Sequence, residues 1–286
     1  MNPSAPARAF ALVGGTLFPL DVRPGADIHD VFDDLPLGVY SALRSHGCGR
    51  FLGLELHLDR TERSMRRARL GDRLDRAELR RAIAAACADF PVDDVRVRFD
   101  VLAAPIVVAS LETQQVLCIA AHRPVPGRFL REGVRVEVAH GLLREDPITK
   151  RARFVIERRP RPIGTQEAYE HLLLDAGRNI LEGTSSNFFG VRGDVIVTAG
   201  EGVLEGITQK LLFGLLPRLG LRAEARALPL DAVGSLDESF LTSSTRGVVP
   251  IVNVAGVRVG SGKPGTVTRR LMDAYDALAA SAATPA

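Results

Sequence analysis

The sequence predicts a mixed α/β protein with two domains. The chain has 286 residues, enough for two modest domains that each bury an apolar core. Segments that alternate apolar and polar residues, as strands do, are interspersed with segments whose apolar residues recur every three or four positions, as in helices. Two prolines and a glycine interrupt both patterns within 122–128, which indicates a domain boundary. We therefore expect a small N-terminal α/β domain over 1–123, an interdomain linker over 124–132 and a larger C-terminal domain over 133–286.

The N-terminal part is predicted to combine strands with two helices. Residues 9–21 read as a strand pair around a Gly-Gly turn. The helices cover about 57–70 and 75–90, because apolar residues line one face of each. Further strands are expected at 38–44, 51–56, 95–102 and 115–120.

The C-terminal part is predicted to contain short strands and two helices. One helix begins near Gly206, and another covers 266–280, after which the last residues are expected to fray. Residues 141–149 are expected to form a loop that leads to Lys150. Strands are expected at 133–139, 172–174, 180–181, 188–191, 195–197, 223–228 and 239–242.

The composition limits the classes of function. The net charge is only +3, and acidic residues are interleaved among the basic ones. This charge pattern is typical of a solvated helical face, and it argues against a nucleic-acid partner. No apolar run approaches the roughly 20 residues that span a bilayer, and the N-terminus lacks a signal-peptide core, so we expect no membrane partner and a cytoplasmic protein. The widely spaced Cys48, Cys87 and Cys118 predict neither a disulfide framework nor a zinc site, and we expect no metal.

Two features of the stretch from 171 to 216 carry chemical information. Glu182 is a carboxylate inside an apolar run and is followed by small polar residues. Gly206-Ile207-Thr208 opens a helix, where free N–H groups and the positive dipole end attract anions. Taken singly, each feature favours an ordinary interpretation: an edge-strand carboxylate that faces water, and a plain helix start.

Any chemistry that needs an amine nucleophile has three lysines to choose from. Lys263 lies in GSGKPG, whose composition indicates a surface turn. Lys210 lies near the start of the helix and is expected to face solvent. Lys150 lies in DPITKRARFV, just before the apolar residues 154–156.

The order of these motifs resembles the class IV aminotransferases. The run LLLDAGRNILEGTSSNFFGV, a short hairpin and GIT opening a helix carry the resemblance, which extends from about Val39 to Tyr275. This family comprises the fold-type IV pyridoxal-phosphate enzymes: branched-chain aminotransferase, D-amino-acid aminotransferase and aminodeoxychorismate lyase. The resemblance implies two domains, a C-terminal domain that binds pyridoxal 5'-phosphate and contains a β pseudo-barrel, and a homodimer.

The resemblance also implies a set of site residues. Lys150 would form the Schiff base with the cofactor and act as the catalytic base, and Glu182 would pair with the ring nitrogen. In the family an H-x-x-R pattern supplies an arginine to the phosphate, and here that pattern is His57 to Arg60. The remaining residues of the phosphate cup would be Ile207, Thr208, Ser244 and Thr245. On the substrate side the candidates are Tyr40, Arg96 and Arg98.

The predicted function is transfer of an amino group between an amino acid or amine and a 2-keto acid. An aminodeoxychorismate-lyase-like enzyme that releases pyruvate is an alternative, and a catalytically inactive binding protein is a second one. Two positions depart from the family pattern. Val155 stands where branched-chain members carry a tyrosine, and Ser41 stands where a glutamate is common. The first departure argues against a standard branched-chain aminotransferase.

Overall fold

The computed structural model describes residues 6–47 and 49–286. Contacts divide the chain into two units. The first unit comprises Met1–Arg123, Thr149–Ile156 and Ala279–Ala286, and the second comprises Pro124–Ile148 and Glu157–Leu278. The segment 124–132, which was expected to be a linker, contains a short helix.

The helices and strands follow one another along the chain in a mixed order. They are β1 (Arg8–Val13), β2 (Thr16–Leu20), β3 (Val39–Arg44), β4 (Arg50–Phe51), α1 (Leu54–Ala68), α2 (Arg76–Ala88), β5 (Val95–Val108), β6 (Leu111–Ala121), α3 (Gly127–Glu132), β7 (Val134–Val138), α4 (Arg153–Glu157), β8 (Glu170–Leu174), β9 (Asn179–Gly183), β10 (Asn187–Arg192), β11 (Val195–Thr198), α5 (Ile207–Leu215), β12 (Arg222–Ala225), β13 (Leu228–Pro229), β14 (Glu238–Ser243), β15 (Gly247–Val254), β16 (Val257–Arg258), α6 (Thr266–Ala282) and β17 (Thr284–Pro285). Most of the predicted strands and all four predicted helices are confirmed.

The first unit is an antiparallel sheet in the order β2-β1-β6-β5-β3. Alternate residues of β5, among them Val97 and Phe99, pack in an apolar cluster with residues of α1 and α2 such as Leu58 and Ile83. A second cluster contains Cys118 of β6 and residues that precede β3. Side chains repeat every two residues along a strand, so β5 contributes Arg96, Arg98 and Asp100 to the face opposite α1 and α2.

The second unit is a sheet that closes on itself. Its ten strands include the path β10-β14-β15-β7-β8-β9, and β9 pairs back onto β10 through Asn187 and Glu182. The ring is therefore closed, as the implied β pseudo-barrel requires. Alternate residues of these strands, including Val136, Phe188 and Leu241, form one apolar cluster. The predicted site residue Glu182 thus lies where the ring closes.

Two expectations for the first unit were wrong. The strand expected at 51–56 is only β4, and α1 already begins at Leu54. Gly53, with a φ of 70°, turns the chain from the strand into the helix. The C-terminus was expected to fray, but β17 pairs with β4, and the Arg50 guanidinium donates to the Ala283 carbonyl at 2.7 and 3.0 Å.

Two cysteines lie in the part of the chain that the structure describes, and both are free thiols. Burial raises the pKa of Cys87 to about 11 and that of Cys118 to about 12. The prediction for Cys48 concerns a residue outside the described ranges. Over 6–47 and 49–286, no helix combines the length and the apolar character that a membrane span needs.

We expect Gly38→Ala to destabilise the protein by about 2 kcal/mol or more, because an added Cβ would lie 2.0 Å from the Val101 carbonyl oxygen and 2.9 Å from the Ala103 nitrogen. Gly214→Ala is a matched control, since a Cβ there meets no atom of the described residues within 4 Å, and alanine favours a helix by about 1 kcal/mol. Chemical denaturation of both variants measures the difference. A Gly38→Ala protein as stable as the wild type would contradict the close approach of Gly38 to β5.

Candidate active site

Three predicted site residues meet in the first unit: Tyr40, Arg98 and Lys150. The Tyr40 N–H donates to the Lys150 carbonyl at 3.0 Å, and the Lys150 Nζ lies 5.1 Å from the centroid of the Tyr40 ring. The guanidinium carbon of Arg98 lies 4.4 Å from the same centroid. The Lys150 N–H donates to Ser64 Oγ on α1 at 3.1 Å. Both backbone groups of Lys150 are therefore held, and its position is fixed relative to β3 and α1.

Arg60 belongs to the same unit and is 5% exposed. Its Nη2 donates to Ser41 Oγ at 3.2 Å, and the Nδ1 of His57 lies 2.8 Å from that oxygen. The Ser41 hydroxyl therefore lies between Arg60 and His57 and contacts both side chains. Ser41, the departure from the family pattern, therefore links Arg60 to His57.

His57 is neutral in this environment. Complete burial, with the positive charges of Arg60 and Lys150, keeps the pKa of His57 well below its ordinary value. The H-x-x-R pattern thus supplies one cation, Arg60, and one neutral imidazole that supports it.

The two candidate substrate arginines are both engaged by aspartates. Arg98 is 1% exposed and binds Asp100 through Nε at 2.8 Å and Nη2 at 2.6 Å. Its Nη1 lies 3.1 Å from His29 Nδ1. Arg96 donates from Nη2 to Asp27 at 2.6 Å. Asp100 therefore occupies the Nε–Nη2 edge of the Arg98 guanidinium, and His29 lies beside its Nη1.

Glu182 of the second unit is buried, with 2% exposed. It lies on β9 between β8 and β10, so the interpretation as an edge-strand carboxylate facing water is wrong. Its Oε2 accepts from the Leu204 N–H at 3.3 Å, and its Oε1 lies 3.4 Å from Nη1 of Arg144. Sequence reasoning pointed to the 141–149 loop but not to Arg144, because one arginine in an irregular segment carries no distinguishing pattern.

The start of α5 is anchored to the same strands. Asn187, paired with Glu182 across β9 and β10, donates from Nδ2 to the Leu204 carbonyl at 2.9 Å. Both polar groups of Leu204 are thus held by the strand pair. A Cβ on Gly206 would lie 1.9 Å from Asn187 Oδ1, so only glycine fits directly before the helix. The helix N-terminus is consequently fixed relative to Glu182.

Several hydroxyl groups near the start of α5 are suited to donate hydrogen bonds to an anion. Thr208 is 2% exposed, and within the described residues its Oγ1 has no hydrogen-bond partner. The same holds for Oγ1 of Thr242 on β14, the strand against which α5 packs. Ser244 and Thr245, half-buried, lie in the turn that follows β14. Buried hydroxyls without a partner at a helix N-terminus are donors suited to a phosphate.

The three lysines differ in burial. Lys210 and Lys263 are exposed, whereas Lys150 is half-buried.

Val155 lies on α4 and packs with Tyr40 and Ala152 in one apolar cluster. Val155, which stands at the position of the family tyrosine, therefore packs in the same cluster as Tyr40.

Residues 38–254 match the family model described as amino-transferase class IV. The chain belongs to the class IV aminotransferase family. Members of this family use pyridoxal phosphate. The match includes Lys150, Glu182 and the start of α5, and it ends before α6.

The similar proteins include a D-alanine aminotransferase and branched-chain aminotransferases. A D-alanine aminotransferase of Bacillus licheniformis is 36% identical over 109 residues, which is 37% of this chain and 38% of that protein. A "probable branched-chain-amino-acid aminotransferase" of Thermotoga maritima is 27% identical over 83% of this chain and 85% of that protein. The first alignment therefore spans well under half of either protein.

Solved structures share the fold. A branched-chain aminotransferase from the archaeon Thermoproteus uzoniensis, crystallised with norvaline, has a TM-score of 0.72 at 20% identity, covering 97% of this chain and 95% of that one. The fold-type IV expectation is confirmed.

We expect the free energy of unfolding to fall as the pH drops below about 6.5, partly because of His57. The unfolded state then takes up a proton that the buried imidazole does not, which costs up to about 1.4 kcal/mol per pH unit for one such group. His46 and His122, whose pKa values burial lowers to about 4, act in the same direction. His57→Asn should therefore flatten the pH dependence between 6.5 and 5 only in part.

Denaturant titrations at several pH values measure this slope. The matched control is His140→Asn, since His140 is exposed. Equal slopes for His57→Asn and the wild type would show that His57 is not held neutral.

Proposed function

We propose that this protein is a pyridoxal-phosphate-dependent aminotransferase that moves an amino group between an amino acid or amine and a 2-keto acid. The observation that carries the proposal is Lys150. It alone of the three lysines is half-buried, and its N–H and C=O groups are bound by Ser64 and Tyr40. Membership of the family and the names of the aligned relatives support the same reaction.

Pyridoxal phosphate is the cofactor we assign, with Lys150 as its covalent attachment point. When bound, it supplies an aldehyde that joins to an amine and a ring that withdraws the electrons left when an α-proton departs. Glu182 is assigned to the ring nitrogen, where its negative charge keeps that nitrogen protonated. The Leu204 N–H and the Arg144 guanidinium fix the orientation of the Glu182 carboxylate.

The phosphate is assigned to two kinds of donor, charged and neutral. Arg60 provides the positive charge, and Ser41 orients its guanidinium. The first amides of α5, at Ile207 and Thr208, offer N–H groups at the positive end of the helix dipole. The Thr208 hydroxyl lies beside them, and Ser244 and Thr245 complete the cup.

Lys150 has a second task in this proposal. With the cofactor bound, the Lys150 Nζ would be the acid and base that moves a proton at the substrate carbon, which requires a fixed position. Tyr40 lies beside the Lys150 amine and is assigned to the substrate side. Arg98 stacks on the Tyr40 ring and is assigned to the substrate side with it. Arg96, held by Asp27, lies on the same strand face.

The deciding experiment is an absorbance titration with pyridoxal phosphate, followed by borohydride reduction and peptide mapping. We expect a visible band and a reduced cofactor attached at Lys150. Lys150→Ala should lose the attachment and lower transamination at least about a thousandfold, because the nucleophile and the proton carrier are the same group. Lys210→Ala is the matched control and should behave as the wild type.

A panel of amino donors then separates the two reactions. Transfer to a keto acid supports an aminotransferase, whereas pyruvate release from an aminated ring without a keto acid supports the lyase. Attachment at Lys210 or Lys263 alone, or no band at all, would sink the assignment.

The assembly we infer is a homodimer in the cytoplasm. The tip of the β5–β6 hairpin is apolar yet exposed: Val107 is 67% and Leu111 is 47% exposed. Val107 pairs with Glu112 and Leu111 pairs with Val108, so the two exposed side chains lie on opposite faces of the hairpin. We assign Val107, the more exposed of the two, to the interface. The free thiols of Cys87 and Cys118 fit a reducing compartment.

We expect Val107→Glu to shift the protein toward the monomer, because the interface would have to bury a carboxylate. Light scattering over a concentration series measures the mass. Val92→Glu is the control, since Val92 is also an exposed apolar residue, at 41%, but lies away from the hairpin tip. A Val107→Glu protein that stays dimeric would exclude the hairpin from the interface.

A further inference from the structure

Glu170 is a buried carboxylate that none of the roles above uses. It begins β8 and is 0% exposed. Its Oε1 accepts from Thr184 Oγ1 at 2.6 Å, and its Oε2 accepts from Ser185 Oγ at 2.5 Å and from Ser186 Oγ at 3.0 Å. One side chain therefore binds all three hydroxyls of the loop 184–186, which directly follows Glu182 and Gly183.

A second loop is joined to the same carboxylate. Arg246 donates from Nη2 to Glu170 Oε2 at 3.1 Å and to Ser185 Oγ at 2.8 Å. Its Nε donates to Ser243 Oγ at 3.0 Å. Arg246 directly follows Ser244 and Thr245 in the turn 243–247. The charge of Arg246 is thus paired inside the network, and the turn is bound to the 184–186 loop.

The packing around Glu170 leaves little freedom. A Cβ on Gly183 would lie 2.8 Å from Glu170 Cγ and 2.3 Å from Ser186 Oγ. Burial raises the pKa of Glu170, but Arg246, Ser185 and Thr184 outweigh it and hold the pKa at about 2. The carboxylate is therefore charged at neutral pH and has a donor on each oxygen.

We propose that Glu170 is a positioning residue that ties the 243–247 turn to the 184–186 loop and so holds Ser244 and Thr245 in one conformation for the cofactor phosphate. The inference rests on the proposed function, since it concerns the same phosphate. Removing the charge of Glu170 would leave the largely buried Arg246 without its counterion, and the two loops would separate or rearrange. The effect should fall on the phosphate and spare the ring of the cofactor.

The experiment compares the affinities of two probes, pyridoxal phosphate and pyridoxal, which lacks the phosphate. Both are titrated into the apoprotein of the wild type, Glu170→Gln and Ser185→Ala, and binding is followed by absorbance. Inorganic phosphate is also tested as a competitor. We expect Glu170→Gln to lower the affinity for pyridoxal phosphate and for inorganic phosphate at least about tenfold. The affinity for pyridoxal should change less than about twofold. Ser185→Ala, a milder change, should act in the same direction by about threefold.

Glu238→Gln is the matched control. Glu238 is another carboxylate of the second unit, and it accepts from the Val267 and Thr268 amides at the start of α6 at 2.9 and 2.7 Å. Its replacement should lower the melting temperature without changing the ratio of the two affinities. A merely structural Glu170 would behave in the same way.

The possible outcomes are distinct. If the wild type binds pyridoxal phosphate and Glu170→Gln loses affinity for both probes equally, or for neither, the positioning role is overturned and the proposed function stands. If Glu170→Gln does not fold, Ser185→Ala decides by the same ratio. If the wild type binds no pyridoxal phosphate, the proposed function fails and this inference fails with it.

Discussion

The pairing of Glu182 with Asn187 is the interaction on which the second unit depends. It closes the ring of strands, since without it the sheet would run from β10 round to β9 and remain open. The same two residues hold the two polar groups of Leu204. Strand closure, burial of the Glu182 carboxylate and the placement of the α5 N-terminus are therefore one constraint. A ring that closed in another register would move the carboxylate and the helix dipole together.

Both units contain buried ion pairs. The free-energy cost of burying their charges explains why each pair has close geometry and additional hydrogen bonds. Taking two charges out of water costs several kcal/mol per ion unless close geometry and further hydrogen bonds offset it. Arg98 and Asp100 meet through two hydrogen bonds, and Glu170 receives four donors besides its neighbour's amide. Such pairs contribute little net stability compared with apolar packing, but they fix orientation. Each one here lies beside a residue with a proposed chemical role: Tyr40 beside Arg98, and Thr245 beside Arg246.

The sequence predicted elements whose signal is local. Periodicity located the β5 and β6 strands and the helix α2, and motif order identified Lys150, Glu182 and the α5 start. The start of α1 was missed because it depends on the left-handed conformation of Gly53, which the apolar run beside it obscured. Pairing of β17 with β4 joins residues more than 200 positions apart. Glu170 and Arg246 are 76 positions apart, and the strand order β14-β15-β7-β8 brings them together. Sequence spacing carries no record of such contacts.

The placement of Lys150 shows why distant contacts matter for chemistry. Lys150 was chosen from the sequence because the chain has only three lysines and because of the residues around it. Its backbone is held by Ser64 on α1, which lies 86 positions earlier in the chain, and by Tyr40 on β3, which lies earlier still. With both backbone groups bound, only the side-chain torsions remain to set the amine. A proton carrier displaced by about 1 Å loses roughly a hundredfold in rate. If Lys150 is the proton carrier we propose, the hydrogen bonds of Ser64 and Tyr40 to Lys150 belong to the catalytic geometry as much as the amine does.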